Sequence, residues 1–187
     1  MKVTDEQLDD FISKRSLVSI RRKRIDALSI QAVPIRYSPT LLLVQYIYDF
    51  HLDGQLILRR SDISSMLCCA TDEFQRGLLA GHGLIDQIDF HFHADLTSFA
   101  DLLNSQPAHS IVILEREHLD DSDFWIGRFV DSTEDMIRLH EFTGAANWED
   151  KLTHICETDV TCCQLNTNYV RFYAQYFQTH TPPQIPA

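Results

Sequence analysis

His91 and His93 stand two residues apart in "IDFHFHAD", the spacing that puts two imidazoles on one face of a strand. With Asp89 or Asp95 as a third donor, such a set would suit zinc or nickel. No cysteine lies close by, and two histidines on the wet face of a half-buried strand need no metal to explain them. Two cysteine pairs, Cys68 with Cys69 and Cys162 with Cys163, raise the same question. Adjacent strand residues point to opposite faces, so neither pair can grip one ion, and one of each pair is expected to be buried. Cys156 lies six residues before Cys162, a spacing that matches no common ligand motif. Cys68 and His82 could form a thiol and base, but there is no G-x-S-x-G elbow, no P-loop and no G-x-G-x-x-G. The residue types therefore predict no catalytic set, no metal and no cofactor, and favour a non-enzymatic protein.

Arg21, Arg22, Lys23 and Arg24 form the one dense basic cluster, and four cations could meet a few phosphates. The chain as a whole carries a formal charge of -11. Beyond the first 26 residues twenty-two acidic residues stand against nine basic ones, so a nucleic-acid backbone is repelled by most of the surface. Single-stranded RNA is thus the alternative partner, and an unidentified protein of basic or mixed charge the leading one. The amino terminus "MKVTDEQLDD" lacks the basic and apolar regions of a secretory signal, and no apolar run reaches membrane-spanning length. Five cysteines with no export signal point to reduced thiols and a cytoplasmic protein.

The elements that would position these residues are mainly strands. Thr4 and Gln7 fit a capping box for a helix over 5–15. Strands are predicted over 28–36, where Pro34 implies an edge or bulge, and over 41–50. Asp53 and Gly54 supply a hairpin turn, "QLILRR" returns from it, and 62–69 forms a further strand. A helix follows with Phe74, Leu78 and Gly81 on one face. The alternation in "IDQIDFHFHAD" predicts a strand, followed by a short helix capped by Asp95 and a strand over 110–117. "HLDDSD", with Asp120 and Asp121, reads as a hydrated loop. The order then returns from Phe124 and ends in a helix with Tyr169, Phe172, Tyr173 and Tyr176 along one stripe. Trp125 alternates with Gly127 as a core residue, whereas Trp148 in "TGAANWED" either caps one end of the fold or offers a contact surface.

Asp62 and Ile63 precede the first of these helices as Asp159 and Val160 precede the second, which marks two copies of one unit. The organisation predicted is a helix and basic junction over 1–26, a first repeat over 27–83, a connector over 84–121, a second repeat over 122–178 and a flexible tail over 179–187. Asp53 and Gly54, Asp62 and Ile63, Gly127, and Asp159 and Val160 carry a resemblance to a group of uncharacterised bacterial proteins with Sm-like or SH3-like barrel repeats. That resemblance implies a mainly β, α+β chain with two small barrels and an N-terminal helix. For Sm proteins as a class it implies binding of uridine-rich RNA through a basic, glycine-containing loop. The corresponding loops here read "RRSDI" and "CETDV" and lack that pair. Asp62 and Asp159 are expected to be structural, accepting backbone hydrogens at a strand entrance.

Overall fold

Thr4 Oγ1 accepts the Gln7 amide hydrogen while Gln7 Oε1 accepts that of Thr4, and this reciprocal box starts α1 (Asp5–Ser13). The computed structural model describes residues 3–25, 28–117, 122–133, 135–180 and 183–185, so Asp120 and Asp121 lie outside the described residues. Two compact units span Met1–Phe92 and His93–Ala187.

The first unit continues through β1 (Val18–Arg21), β2 (Ser29–Tyr37), β3 (Leu41–Tyr48), β4 (His51–Arg59), a 3-10 turn (Arg60–Asp62), β5 (Ser65–Leu67) and α2 (Ala70–Gly81). Its strands pair antiparallel in the order β5-β1-β2-β3-β4. Pro34 sits inside the sheet, and the register of β2 on β3 shifts just after it, the bulge that a missing N–H requires. The β3–β4 turn is made by Asp49 and Phe50, both at positive φ, where Asp53 and Gly54 were expected to turn the chain. Gly54 instead takes φ +70 within β4, facing a second register shift.

The second unit runs α3 (Phe99–Asn104), β6 (Ile111–Arg116), β7 (Asp123–Ser132), β8 (Met136–Glu141), β9 (Thr153–Cys156), a 3-10 turn (Glu157–Asp159), β10 (Cys162–Leu165) and α4 (Asn168–Thr179). Its antiparallel order is β10-β6-β7-β8-β9. Ile113 and Ile126 of the sheet, Phe142, and Val170 and Phe177 of α4 form its apolar cluster.

The expectation of Sm-like or SH3-like barrels, and with it the resemblance that suggested them, is corrected by these orders. Among the described residues β4 does not pair with β5, nor β9 with β10, so neither five-stranded sheet closes on itself. Closure is one way to hide an apolar face; here helices do it, α1 packing on β2 in the first unit, and α3 on β7 and α4 on β6 in the second. The fold is a mixed α+β arrangement with an open antiparallel sheet in each unit.

The order of elements is nonetheless the same in both units: helix, four strands, 3-10 turn, short strand, helix. Asp62 and Asp159 each end the 3-10 turn, and the next residues adopt nearly the same backbone, Ile63 at φ -74, ψ 113 and Val160 at φ -70, ψ 123. Both side chains are buried, so the repeated Asp-Ile and Asp-Val pairs mark the point where the chain dives into each core.

Candidate interaction surface

α2 and α4 each have twelve residues and follow the same 3-10 turn and short strand. Along them the sequence of buried, half-buried and exposed positions is the same at every residue. The third and tenth positions are buried, as Asp72 and Leu79 in α2 and as Val170 and Phe177 in α4. The sixth and seventh are half-buried, as Gln75 and Arg76 and as Tyr173 and Ala174. Polar bonds hold α2: Asp72 accepts from Ser19 Oγ at 2.9 Å and from the Cys69 amide at 2.9 Å, and Arg76 donates to the carbonyls of Arg15 and Lys14 at 2.7 and 3.1 Å. Desolvation pushes the Asp72 carboxyl up, but hydrogen bonds from Cys69, Ser19 and Gln31 outweigh it and hold the group below the usual carboxylate range. Thr167 caps α4, which rests on apolar contacts with Phe142 and Trp148.

The outward faces are apolar in both helices. Phe74 is 68% exposed and its counterpart Phe172 73%; Leu78 is 41% exposed and its counterpart Tyr176 44%. The face formed by Phe74, Leu78 and Gly81, and most of the aromatic stripe of α4, therefore look away from the sheets they follow. Only Tyr173 of that stripe turns inward, donating its hydroxyl to the Gly144 carbonyl at 2.9 Å. Gly77, between Phe74 and Leu78, has open space where a side chain would be. Beside the phenylalanines stand Glu73 on α2 and Arg171 on α4, both exposed and at the same place in the repeat.

A groove of about 280 Å³ lies against the other flank of α4, lined by Ile111, Arg128, Trp148, Ala174, Phe177 and Gln178 with His109 and Ser110 at one end. Strand pairing sets Arg128 opposite His140. The approach is close because Gly127 has no side chain: a Cβ there would meet the His140 carbonyl oxygen at 2.6 Å. Arg128 Nη2 bonds to His140 Nδ1 at 3.0 Å and donates to the Pro183 carbonyl at 3.1 Å, and the guanidinium lies 4.9 Å above the Trp148 ring. His140 Nε2 lies 2.9 Å from the Glu149 carbonyl, fixing the ring. Trp148 also packs on Phe142 and Phe177 at 5.1 and 4.6 Å, so it caps the apolar cluster of its unit and lines the groove. Loss of hydration lowers the Arg128 pKa from its ordinary value.

Of the basic cluster, Arg21, Lys23 and Arg24 reach solvent, whereas Arg22 is only 4% exposed. Asp159 lies 3.8 Å from Arg116, while Asp62 accepts from Ser61 Oγ at 3.4 Å. His91 and His93 are not on a strand; the segment after the 3-10 turn Ile85–Gln87 is irregular, and Asp89 accepts the His91 amide hydrogen at 2.9 Å. Among the described residues no three His, Cys, Asp or Glu side chains gather as metal ligands. None of the five cysteines is in a disulfide, but burial does not alternate: Cys162 and Cys163 are both buried, Cys68 is half-buried and Cys69 exposed. No helix among the described residues is long and apolar enough to cross a membrane. Arg128 and His140 were missed in the sequence, although a glycine one residue before an arginine in "WIGRF" signals a close backbone approach. No family model, curated protein or solved structure matches this chain.

Proposed function

We propose that the protein is a non-enzymatic interaction module of the cytoplasm that joins copies of itself, α2 of one chain packing against α4 of the next. The observation that carries this reading is the matched pair of exposed apolar faces on helices with the same burial pattern. A second copy is favoured as occupant because the two faces complement each other. Gly77 leaves a notch between Phe74 and Leu78 that an aromatic side chain of α4 can fill. Glu73 and Arg171 occupy equivalent positions, so a crossing near Phe74 and Phe172 brings opposite charges together. Pairing α2 with α2 would oppose Glu73 to itself, and pairing α4 with α4 would oppose Arg171 to itself.

Phe74, Leu78, Tyr169, Phe172 and Tyr176 together leave roughly 500 Å² of side-chain surface in water per chain. One α2–α4 contact between two chains thus buries roughly 500 Å², below the usual size of a specific interface, so association is weak and concentration-dependent. Five cysteines outside any disulfide agree with a reducing compartment.

Sedimentation velocity from micromolar to sub-millimolar protein tests this. The native chain should self-associate, Glu73→Arg and Arg171→Glu should each weaken association, and the double exchange should restore it. A native chain that stays monomeric throughout sinks the proposal, as does a double exchange no better than either single variant.

A further inference from the structure

The groove beside Arg128 belongs to the opposite flank of α4 and owes nothing to the pairing face. Its main feature is a cation with unspent hydrogen-bonding capacity. Nη2 serves His140 and Pro183, while among the described residues Nε, shut from water, and Nη1 have no hydrogen-bond partner. No carboxylate of the described residues pairs with this guanidinium. Arginine elsewhere in the same unit is treated differently: Arg116 pairs with Asp123 and Arg138 with Asp131. A half-buried cation without a counter-charge is costly to keep, and an anion arriving from solvent removes that cost.

We infer that this groove binds a small monocarboxylate with an apolar substituent, the carboxylate on Arg128 and the substituent along Ile111, Trp148 and Phe177. One guanidinium balances one negative charge, and Nη1, which the described residues leave without a partner, donates to a carboxylate oxygen. Among the described residues the lining includes no second arginine or lysine to compensate a phosphate dianion. Trp148, packed on Phe177 at 4.6 Å and lying under the guanidinium, already forms a rigid apolar floor. At about 280 Å³ the space falls at the small end of ligand sites, too small for a nucleotide but sufficient for a short acyl chain or an aryl ring. The same chemistry is offered by a free alkyl or aryl acid and by the terminal carboxylate of a peptide ending in an apolar residue.

Calorimetric titration of the full chain separates these cases, using octanoate for the free acid and N-acetylphenylalanine for the peptide terminus. Octanol, N-acetylphenylalanine amide and inorganic phosphate are the controls. At least one of the two carboxylates should bind, about tenfold or more tighter than its neutral counterpart and than phosphate, and the tighter of the two names the natural source. Arg128→Gln should abolish binding. Because that change also alters a packed side chain, Gln178→Glu is the second variant: it adds a negative charge at an exposed rim position on α4. It should weaken carboxylate binding about tenfold while leaving the thermal midpoint unchanged. Neutral ligands or phosphate binding as tightly as the carboxylates, no binding by either carboxylate, or a Gln178→Glu chain that binds like the native one would each overturn the assignment.

Discussion

Gly127→Ala probes the contact on which the second unit is built. A methyl group at this position would sit 2.6 Å from the His140 carbonyl oxygen and 3.0 Å from both the His140 carbonyl carbon and the Glu141 Cα. Carbon and oxygen atoms meet comfortably at about 3.3 Å or more, so β7 and β8 must part locally by roughly 0.7 Å. All three of these neighbours are backbone atoms, and none can rotate away. The ladder that has to give pairs Gly127 with Glu141 and Arg128 with His140, so the strain falls on hydrogen bonds in mid-sheet. Overpacking of this kind costs about 1–3 kcal/mol. With a urea slope of about 1–3 kcal/mol per molar, the unfolding midpoint should drop by roughly 1 M with little change in slope. Urea titration followed by circular dichroism reads this directly, and the indole resonance of Trp148 should shift as His140 is displaced beneath it. A midpoint equal to that of the native chain would refute the reasoning, because it would mean that β8 leaves room for a Cβ at position 127.

Thiol labelling under native conditions should modify Cys69 first and leave Cys162 and Cys163 unmodified until the chain unfolds, because burial keeps the Cys163 thiol protonated; mass spectrometry after timed alkylation checks the order. Thr167→Ala should destabilise the chain by about 1 kcal/mol, measured by chemical denaturation, since the hydroxyl accepts the Val170 amide hydrogen at the start of α4.

Long, strongly patterned elements could be read from the sequence, and the points of failure share a cause. "LLLVQYIY" and "SIVILERE" became β3 and β6 because their β-branched and aromatic residues have one good conformation and a core to enter. β1 went unread: "VSIR" has four residues, runs into a basic cluster, and exists because Met66 of β5 and Ile30 of β2 flank Ile20 across the ladders. Those contacts span tens of residues and leave no local pattern. The alternation around His91 failed for the opposite reason. A local bond from the His91 amide to Asp89, together with Phe90 lying under the Arg15 guanidinium at 4.4 Å, competes successfully with any ladder. Asp53 and Gly54 look like a turn, yet Asp49 and Phe50 take the positive φ values that close the hairpin. The likeness of Asp62-Ile63 to Asp159-Val160 was legible, because each Asp ends a 3-10 turn and the apolar residue after it is buried. The barrel was not, since whether a sheet closes depends on what its two end strands meet. Of the groove, Trp148 could be flagged from its unexplained place in a loop, whereas Arg128 acquires meaning only once His140 lies across the ladder from it.

The buried third position of each second helix, Asp72 in one and Val170 in the other, gives the two units different enemies. Asp72 has a carboxyl held below its ordinary range, so the stability it contributes is present above the unfolded value of about 3.9 and disappears as the pH falls through the folded value. Val170 has nothing to protonate; its contact with Phe177, Ile113 and Ile126 weakens on cooling, when apolar burial loses its driving force. Acid should therefore release α2 while α4 stays seated, and cold should loosen α4 while the hydrogen bonds of α2 persist. The order of failure reverses with the kind of stress.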